Sequence, residues 1–143
     1  MIKDTVSLIK LHEGAVIKNG RHMPYKCSAD KWTACYGRNI EDMGFSQDEA
    51  DYLLQNDIAR VRRELEARGI ISGLDDVREA VAMDMCYNLG INRLLKFRKF
   101  ISALRVKDFD RAAREMVDSK WYRQVGTRAK RLVKMMKTGE WPK

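Results

Sequence analysis

"SQDEADYLLQNDIARVRRELEARG", residues 46–69, is the stretch on which the fold turns. Ser46 followed three positions later by Glu49 is a capping box, and Gln47, Asp48 and Glu49 give the first turn the acidic and polar side chains a helix start favours. Leu54, Ile58, Val61 and Leu65 then recur at helical spacing until Gly69 ends the run. The pattern predicts a helix over about 47–68, roughly 30 Å long at about 1.5 Å per residue. A helix of that length can join two lobes, and the sequence on its two sides differs in kind.

Upstream, residues 4–13 read as a short helix. Asp4 is its cap, Val6, Leu8 and Ile9 lie at helical spacing, and Gly14 is the stop, which makes Glu13 the last helical residue. Residues 23–36 change to short β-prone runs, "MPYKC" and "WTACY", separated by "SADK". These predict an antiparallel hairpin with a five-residue loop, 28–32. That register sets Cys27 directly opposite Thr33 on one face, with Cys35 a diagonal neighbour of Cys27 at roughly 7–8 Å, beyond disulfide reach.

Downstream, "DDVREAVAMDMCYNLG" (75–90) is apolar nearly all round after its first turn, as a helix surrounded by others must be. Three amphipathic helical stretches follow: "RLLKFRKFISALR" (93–105), "DFDRAAREMV" (108–117) and "TRAKRLVKMMKTG" (127–139). The expected class is α+β, mostly helical, in one domain: a β-containing N-terminal lobe at about 14–46, a connecting helix at about 47–68, and a helical C-terminal lobe at about 70–143. The first helix, 4–13, is expected to pack on the helical lobe. A cleft between lobes is the default place for a ligand.

With 45% hydrophobic and 34% charged residues, the 143-residue chain reads as globular. No run is apolar enough to cross a bilayer, so no membrane span is predicted. Lys3, Asp4 and Lys10 interrupt the N-terminus, which therefore lacks a signal-peptide pattern and predicts synthesis in the cytoplasm. Three cysteines at spacings of eight and fifty-one residues fit neither a disulfide framework nor a zinc site. His12 and His22 have no second ligand at short spacing, so no metal is predicted. The net charge of +8 is uneven: residues 91–143 hold 16 Lys and Arg against 5 Asp and Glu. Such a field attracts nucleic acid, anionic headgroups or an acidic wall polymer, and charge alone does not choose among them. The run "RAKRLVKMMK" (128–137) alternates with apolar residues as any amphipathic helix does, and reads as a solvated face.

The residues around the hairpin carry the chemistry. Glu13 sits at the negative end of a helix dipole, which disfavours its ionised form, as burial in a cleft would; that suits a general acid, and the alternative is a surface charge before a glycine stop. Cys27 and Thr33 converge as a thiol and a hydroxyl, or Cys27 simply fills a half-buried strand. Asp30 is either a turn former or an alternative base. Asp84, alone in an apolar helix, is expected to pair with an arginine of the helical lobe. Trp121 and Trp141 read as core plugs.

"SLIKLHEG", "PYKCSADKWTACYG", "SQDEADYLLQNDI", "AVAMDMCYNLG" and "SKWYRQVGTRAKRLVKMMKTGEW" together resemble, in that order, the blocks of bacteriophage lysozymes of the T-even and lambdoid type, glycoside hydrolase family 24. The resemblance implies a lysozyme-like fold and a peptidoglycan hydrolase, an endolysin that needs no cofactor. It would cut the β-1,4 bond between N-acetylmuramic acid and N-acetylglucosamine with inversion. In those terms Glu13 is the acid, and Cys27 with Thr33 manages the attacking water, across the roughly 6.5–9.5 Å that inversion requires. Tyr25, Asn39, Tyr87 and Asn88 are then candidate sugar contacts. The same resemblance implies a monomer with no nucleic-acid partner, made in the host cytoplasm and reaching the wall in the periplasm after a holin opens the membrane. A lytic transglycosylase of similar fold and a non-catalytic wall-binding or basic nucleic-acid-binding module are the rival readings.

The sequence departs from the family pattern in its longer gap between Glu13 and Cys27, the extra residues lying within "VIKNGRHMP" (16–24). It departs again at Cys35, in place of a glycine, and at Arg38, in place of a histidine. A thiol acting as a base needs help from a cation, for which Lys26 and Arg38 are the candidates.

Overall fold

Asp4 caps the first helix, Thr5–Glu13 (α1), in the computed structural model, which describes residues 1–143. Its carboxylate accepts from the Ser7 backbone N–H at 2.8 Å, while the Gly14 N–H closes the far end on the Lys10 carbonyl. None of its residues is buried, and Val6, Ile9 and Leu11 are exposed. The chain divides into two compact units, Met1–Tyr52 and Leu53–Lys143, and α1 belongs to the first.

Five short strands follow, where the sequence predicted two. Ile17–Lys18 (β1) and Arg21–His22 (β2) form a separate hairpin inside the longer gap. Asn19 and Gly20 between them have φ of 53° and 75°, the two left-handed residues of a type I′ turn. Tyr25–Lys26 (β3), Trp32–Ala34 (β4) and Arg38–Asn39 (β5) make a three-stranded antiparallel sheet.

The register of β3 on β4 differs from the expected one. Tyr25, not Cys27, is opposite Thr33, and Cys27 bonds instead to Lys31, its N–H donating to the Lys31 carbonyl at 2.9 Å. The loop is three residues, 28–30, because Asp30 takes a left-handed conformation (φ 58°) that lets the chain reverse in fewer residues. The slip amounts to two residues on β4, an even number, so Cys27 and Thr33 remain on the same face. Cys35 lies outside the ladder altogether, in the β4–β5 turn with φ 58°, and all three cysteines are free thiols.

Asn39 caps a single helical turn, Ile40–Met43 (α2), and the long helix runs Gln47–Glu66 (α3). Its capping box forms as read: Ser46 N–H donates to Glu49 Oε1 at 2.8 Å and Glu49 N–H to Ser46 Oγ at 3.1 Å. The boundary between the units falls within α3.

The second unit is helical. Asp76–Leu89 (α4), capped by Asp75, buries Val77, Val81, Ala82, Met85 and Cys86. The stretch read as one helix over 93–105 is two, Ile91–Leu94 (α5) and Arg98–Arg105 (α6). On a straight helix Leu94 and Phe100 would point about 120° apart, more than one buried stripe covers. The break at 95–97 allows both to be fully buried. Phe109–Val117 (α7) and Thr127–Thr138 (α9) match their predicted stretches, and a further short helix, Lys120–Val125 (α8), is capped by Ser119. One apolar cluster, including Leu65, Met85, Phe100, Leu104, Met116 and Met136, fills this unit. The fold is thus α+β and mostly helical, with a small antiparallel sheet, as the sequence indicated.

Candidate active site

Glu13 ends α1, and its carboxylate lies against the turn between β4 and β5. A β-carbon added at Gly37 would fall 2.8 Å from Glu13 Cδ and closer still to Oε2. Gly37 also has φ of +79°, so two independent constraints keep a side chain out of that position. Beside it, Tyr36 has Lys10 Nζ 5.0 Å from its ring centroid and the His22 imidazole edge-on at 5.3 Å. The first helix, the β1–β2 hairpin and the β4–β5 turn therefore meet around Tyr36, one residue from the place where Glu13 rests. Glu13 is exposed, so the burial expected of it is not found.

Cys27 lies at the end of β3 and is partly exposed. Its thiol is held below the ordinary range by hydrogen bonds that favour the charged form: first from the Lys31 backbone N–H, then from the Thr33 hydroxyl, then from the Ala29 N–H. Thr33 is buried, at 3% exposure, and its hydroxyl lies 2.9 Å from the Lys31 carbonyl, so its single proton serves either that oxygen or the thiol. The structure thus brings Cys27 and Thr33 together by a diagonal rather than a direct pairing.

Neither expected cation acts on the thiol. Lys26 Nζ lies 4.5 Å from the Trp32 ring centroid and 3.9 Å from Glu41 Oε1. Arg38 donates to Glu49 Oε1 at 2.8 Å and to the Gly44 carbonyl at 3.3 Å. Backbone N–H groups take the part assigned to a side-chain cation, a contribution that residue types alone do not display. Asp30 donates its N–H to the Cys27 carbonyl at 2.8 Å and closes the loop, the geometry of a turn former. Asn39 is occupied at both ends: Oδ1 accepts from the Asp42 N–H and Nδ2 donates to the Asp42 carboxylate. Tyr25 is half-buried opposite Thr33.

In the second unit, Tyr87 is exposed on the rim of a cavity of about 450 Å³, with Leu54, Ile58, Met83, Asp84 and Arg128 among its walls. Asp84 pairs with Arg128 as expected, accepting at 2.7 Å and 2.9 Å. Asn88 Oδ1 accepts from the Trp121 indole at 3.2 Å, and Trp121 is a core residue at 3% exposure. Trp141 is not; it is 58% exposed, in the stretch after α9 that has no regular structure. No group of three or more His, Cys, Asp or Glu side chains is gathered as a metal ion would require.

Residues 13–138 match the model of the family described as Phage lysozyme. The chain belongs to the phage lysozyme family. Glu13 is the first residue of that match, which then runs to the end of α9. The chain is 26% identical over 95 residues to probable T4-type lysozyme 1 of Dictyostelium discoideum, covering 64% of this chain and 56% of that protein. It is 26% identical over 98 residues to probable T4-type lysozyme 2 of the same organism, covering 66% and 58%. It is 24% identical over 98 residues to the pre-baseplate central spike protein of Enterobacteria phage T4, covering 66% of this chain and 17% of that one. The chain therefore spans little more than half the length of the two lysozymes it matches.

Gly37 and the Arg38–Glu49 pair are the features of this phage lysozyme family member that reading the sequence did not assign to the site. The signal for Gly37 was its place, in the turn that the family pattern marks with glycine.

Proposed function

We propose that this chain hydrolyses peptidoglycan, cutting the β-1,4 bond between N-acetylmuramic acid and N-acetylglucosamine with inversion. The observation that carries the reading is the joint placement of three groups on one small sheet: Glu13 against Gly37, and the Cys27 thiol beside the Thr33 hydroxyl. Membership of the phage lysozyme family supports the substrate class.

In this mechanism Glu13, in its acid form, gives its proton to the glycosidic oxygen as the bond to the anomeric carbon breaks. Thr33 orients a water on the opposite face of the sugar, and the Cys27 thiolate takes that water's proton as its oxygen bonds to the anomeric carbon. Glu13 is left as carboxylate and Cys27 as thiol, and exchange with solvent restores both. The lowering of the thiol favours the thiolate that acts as the base. Tyr25, paired with Thr33 across the ladder, is a candidate sugar contact, and Tyr87 and Asn88 are the second unit's candidates. The biological setting that fits is lysis of a bacterial host by a monomer made in the cytoplasm and admitted to the wall by a holin.

The test is a digest of purified sacculi read by mass spectrometry. New reducing ends on N-acetylmuramic acid, lost in Glu13→Gln with an unchanged circular dichroism spectrum, are the expected result. 1,6-Anhydro ends would instead identify a lytic transglycosylase. Binding to sacculi without new ends would identify a wall-binding module.

A further inference from the structure

The second unit has another concavity, of about 400 Å³, between α9 and the chain that follows it. Its walls include the side chains of Lys130, Arg131, Lys134 and Lys143, with Glu140 as the one acidic side chain, a side-chain charge of +3. None of these five takes part in an ion pair. Lys130 and Lys134 are four apart on the helix and Arg131 and Lys134 three apart, spacings at which like charges repel and cost stability. The dipole of α9 rewards cations in its last turn, but Lys130 and Arg131 lie earlier. Folding therefore gains nothing evident from gathering these charges, and a bound anion would relieve them.

Trp141 completes the wall and is 58% exposed. A large flat apolar ring left uncovered at the mouth of a cationic cavity fits a ligand with both an apolar face and an anionic group. We propose that this concavity binds a phosphorylated sugar. The cations take the phosphate, with the Arg131 guanidinium and the lysines donating to its oxygens, and the pyranose C–H face lies on the Trp141 indole. A phosphomonoester carries about −1.5 to −2 at neutral pH, whereas a single carboxylate would leave about two of the three excess charges unmatched. The volume is within the range of small-ligand sites and holds one sugar phosphate with room to enter. The choice of a sugar over another flat group rests on the proposed function, since a wall hydrolase works among saccharides.

The experiment titrates the full chain, labelled with 15N, and follows the Trp141 indole N–H resonance, assigned by its loss in Trp141→Phe. Probes are N-acetylglucosamine 6-phosphate, N-acetylglucosamine, inorganic phosphate and adenosine monophosphate. The sugar phosphate is expected to saturate at least about tenfold more tightly than the other three. Arg131→Gln with Lys134→Gln is expected to lose about tenfold or more, as removal of charge-assisted hydrogen bonds does. Trp141→Ala, followed by the backbone amide resonances of Lys130, Arg131 and Lys134, should reduce the sugar phosphate to the level of inorganic phosphate, and Glu13→Gln should bind as the natural chain does. Absence of saturable binding, tighter binding of the nucleotide, or indifference to the double variant overturns the proposal.

Two sources of sugar phosphate are then separated by binding to phosphatidylcholine vesicles doped with lipopolysaccharide and to a lipid-free phosphosaccharide polymer. Saturation with either upholds the site and names its source, and saturation with neither overturns it. Hydrolysis of sacculi is measured on the same samples. Binding without hydrolysis sinks the proposed activity alone, and hydrolysis without binding sinks this inference alone.

Discussion

Gly37 shows how a residue with no side chain can decide the position of another, here the carboxylate proposed as the acid. A methyl group there meets the Glu13 carboxylate, and the positive φ adds strain for any L-residue. Gly37→Ala is expected to lower kcat about 10²-fold, the scale of an ångström-level displacement of a reacting group, and to cost about 1–2 kcal/mol of stability. Sacculus hydrolysis and a urea melt measure the two effects separately. Cys27 makes a prediction of the opposite kind, in which the backbone tunes the side chain. Because hydrogen bonds hold its thiol below the ordinary range, the rise of kcat/KM with pH should be centred below the pH at which a free cysteine titrates. Cys27→Ser should remove that rise with most of the activity, and Asp30→Asn should leave both. A rise centred at or above the ordinary thiol value would refute the thiolate as base. Residue type and order made Glu13, Cys27 and Thr33 candidates, and the family resemblance chose them over a surface charge and a strand filler. The contacts that define them were not legible, since Gly37 lies 24 positions from Glu13 in the chain.

At the scale of elements, the capping box of α3 joins local and longer-range structure through Glu49. That carboxylate receives the Ser46 N–H and the Arg38 guanidinium, and these hold it down to about 2 from its ordinary 4.5. Folding therefore favours the charged form. The stability this contributes is fully present above about pH 4.5 and is lost as pH falls through about 2. Thermal melts should accordingly show Glu49→Gln to be less stable than the natural chain at pH 6, with the difference shrinking toward pH 2. Ser46 and Glu49 announced the helix start in the sequence because a cap is made within four residues. Arg38 was read as a cation for Cys27 because nothing in its neighbourhood of sequence shows Glu49 arriving from another element. The β1–β2 hairpin was missed although Asn19–Gly20 is a strong hairpin signal; its flanking strands are two residues each, too short to show alternation.

For the whole molecule, the buried residues are divided unequally. Within Met1–Tyr52 only Thr33 and Ala34 are buried, whereas Leu53–Lys143 holds a contiguous core in which Phe100, Met85 and Leu104 are fully enclosed. Leu104→Ala is expected to cost about 3–4 kcal/mol in chemical denaturation, the range for a leucine removed from a packed interior. Native-state amide exchange should be slowest in α4, α6, α7 and α9 and much faster in α1 and β1–β5, since a segment of that size with so little buried area opens at low cost. Equal protection across both units would contradict this. The sequence by itself determined the helices that carry their own caps and stops and the presence of a small sheet, because each is written in residues a few positions apart. The tertiary structure alone decided the strand register, the break between α5 and α6, the partner of Arg38 and the seat of Glu13 on Gly37. Those depend on which distant groups must be buried or hydrogen-bonded together, and a free energy shared across the chain has no local signature.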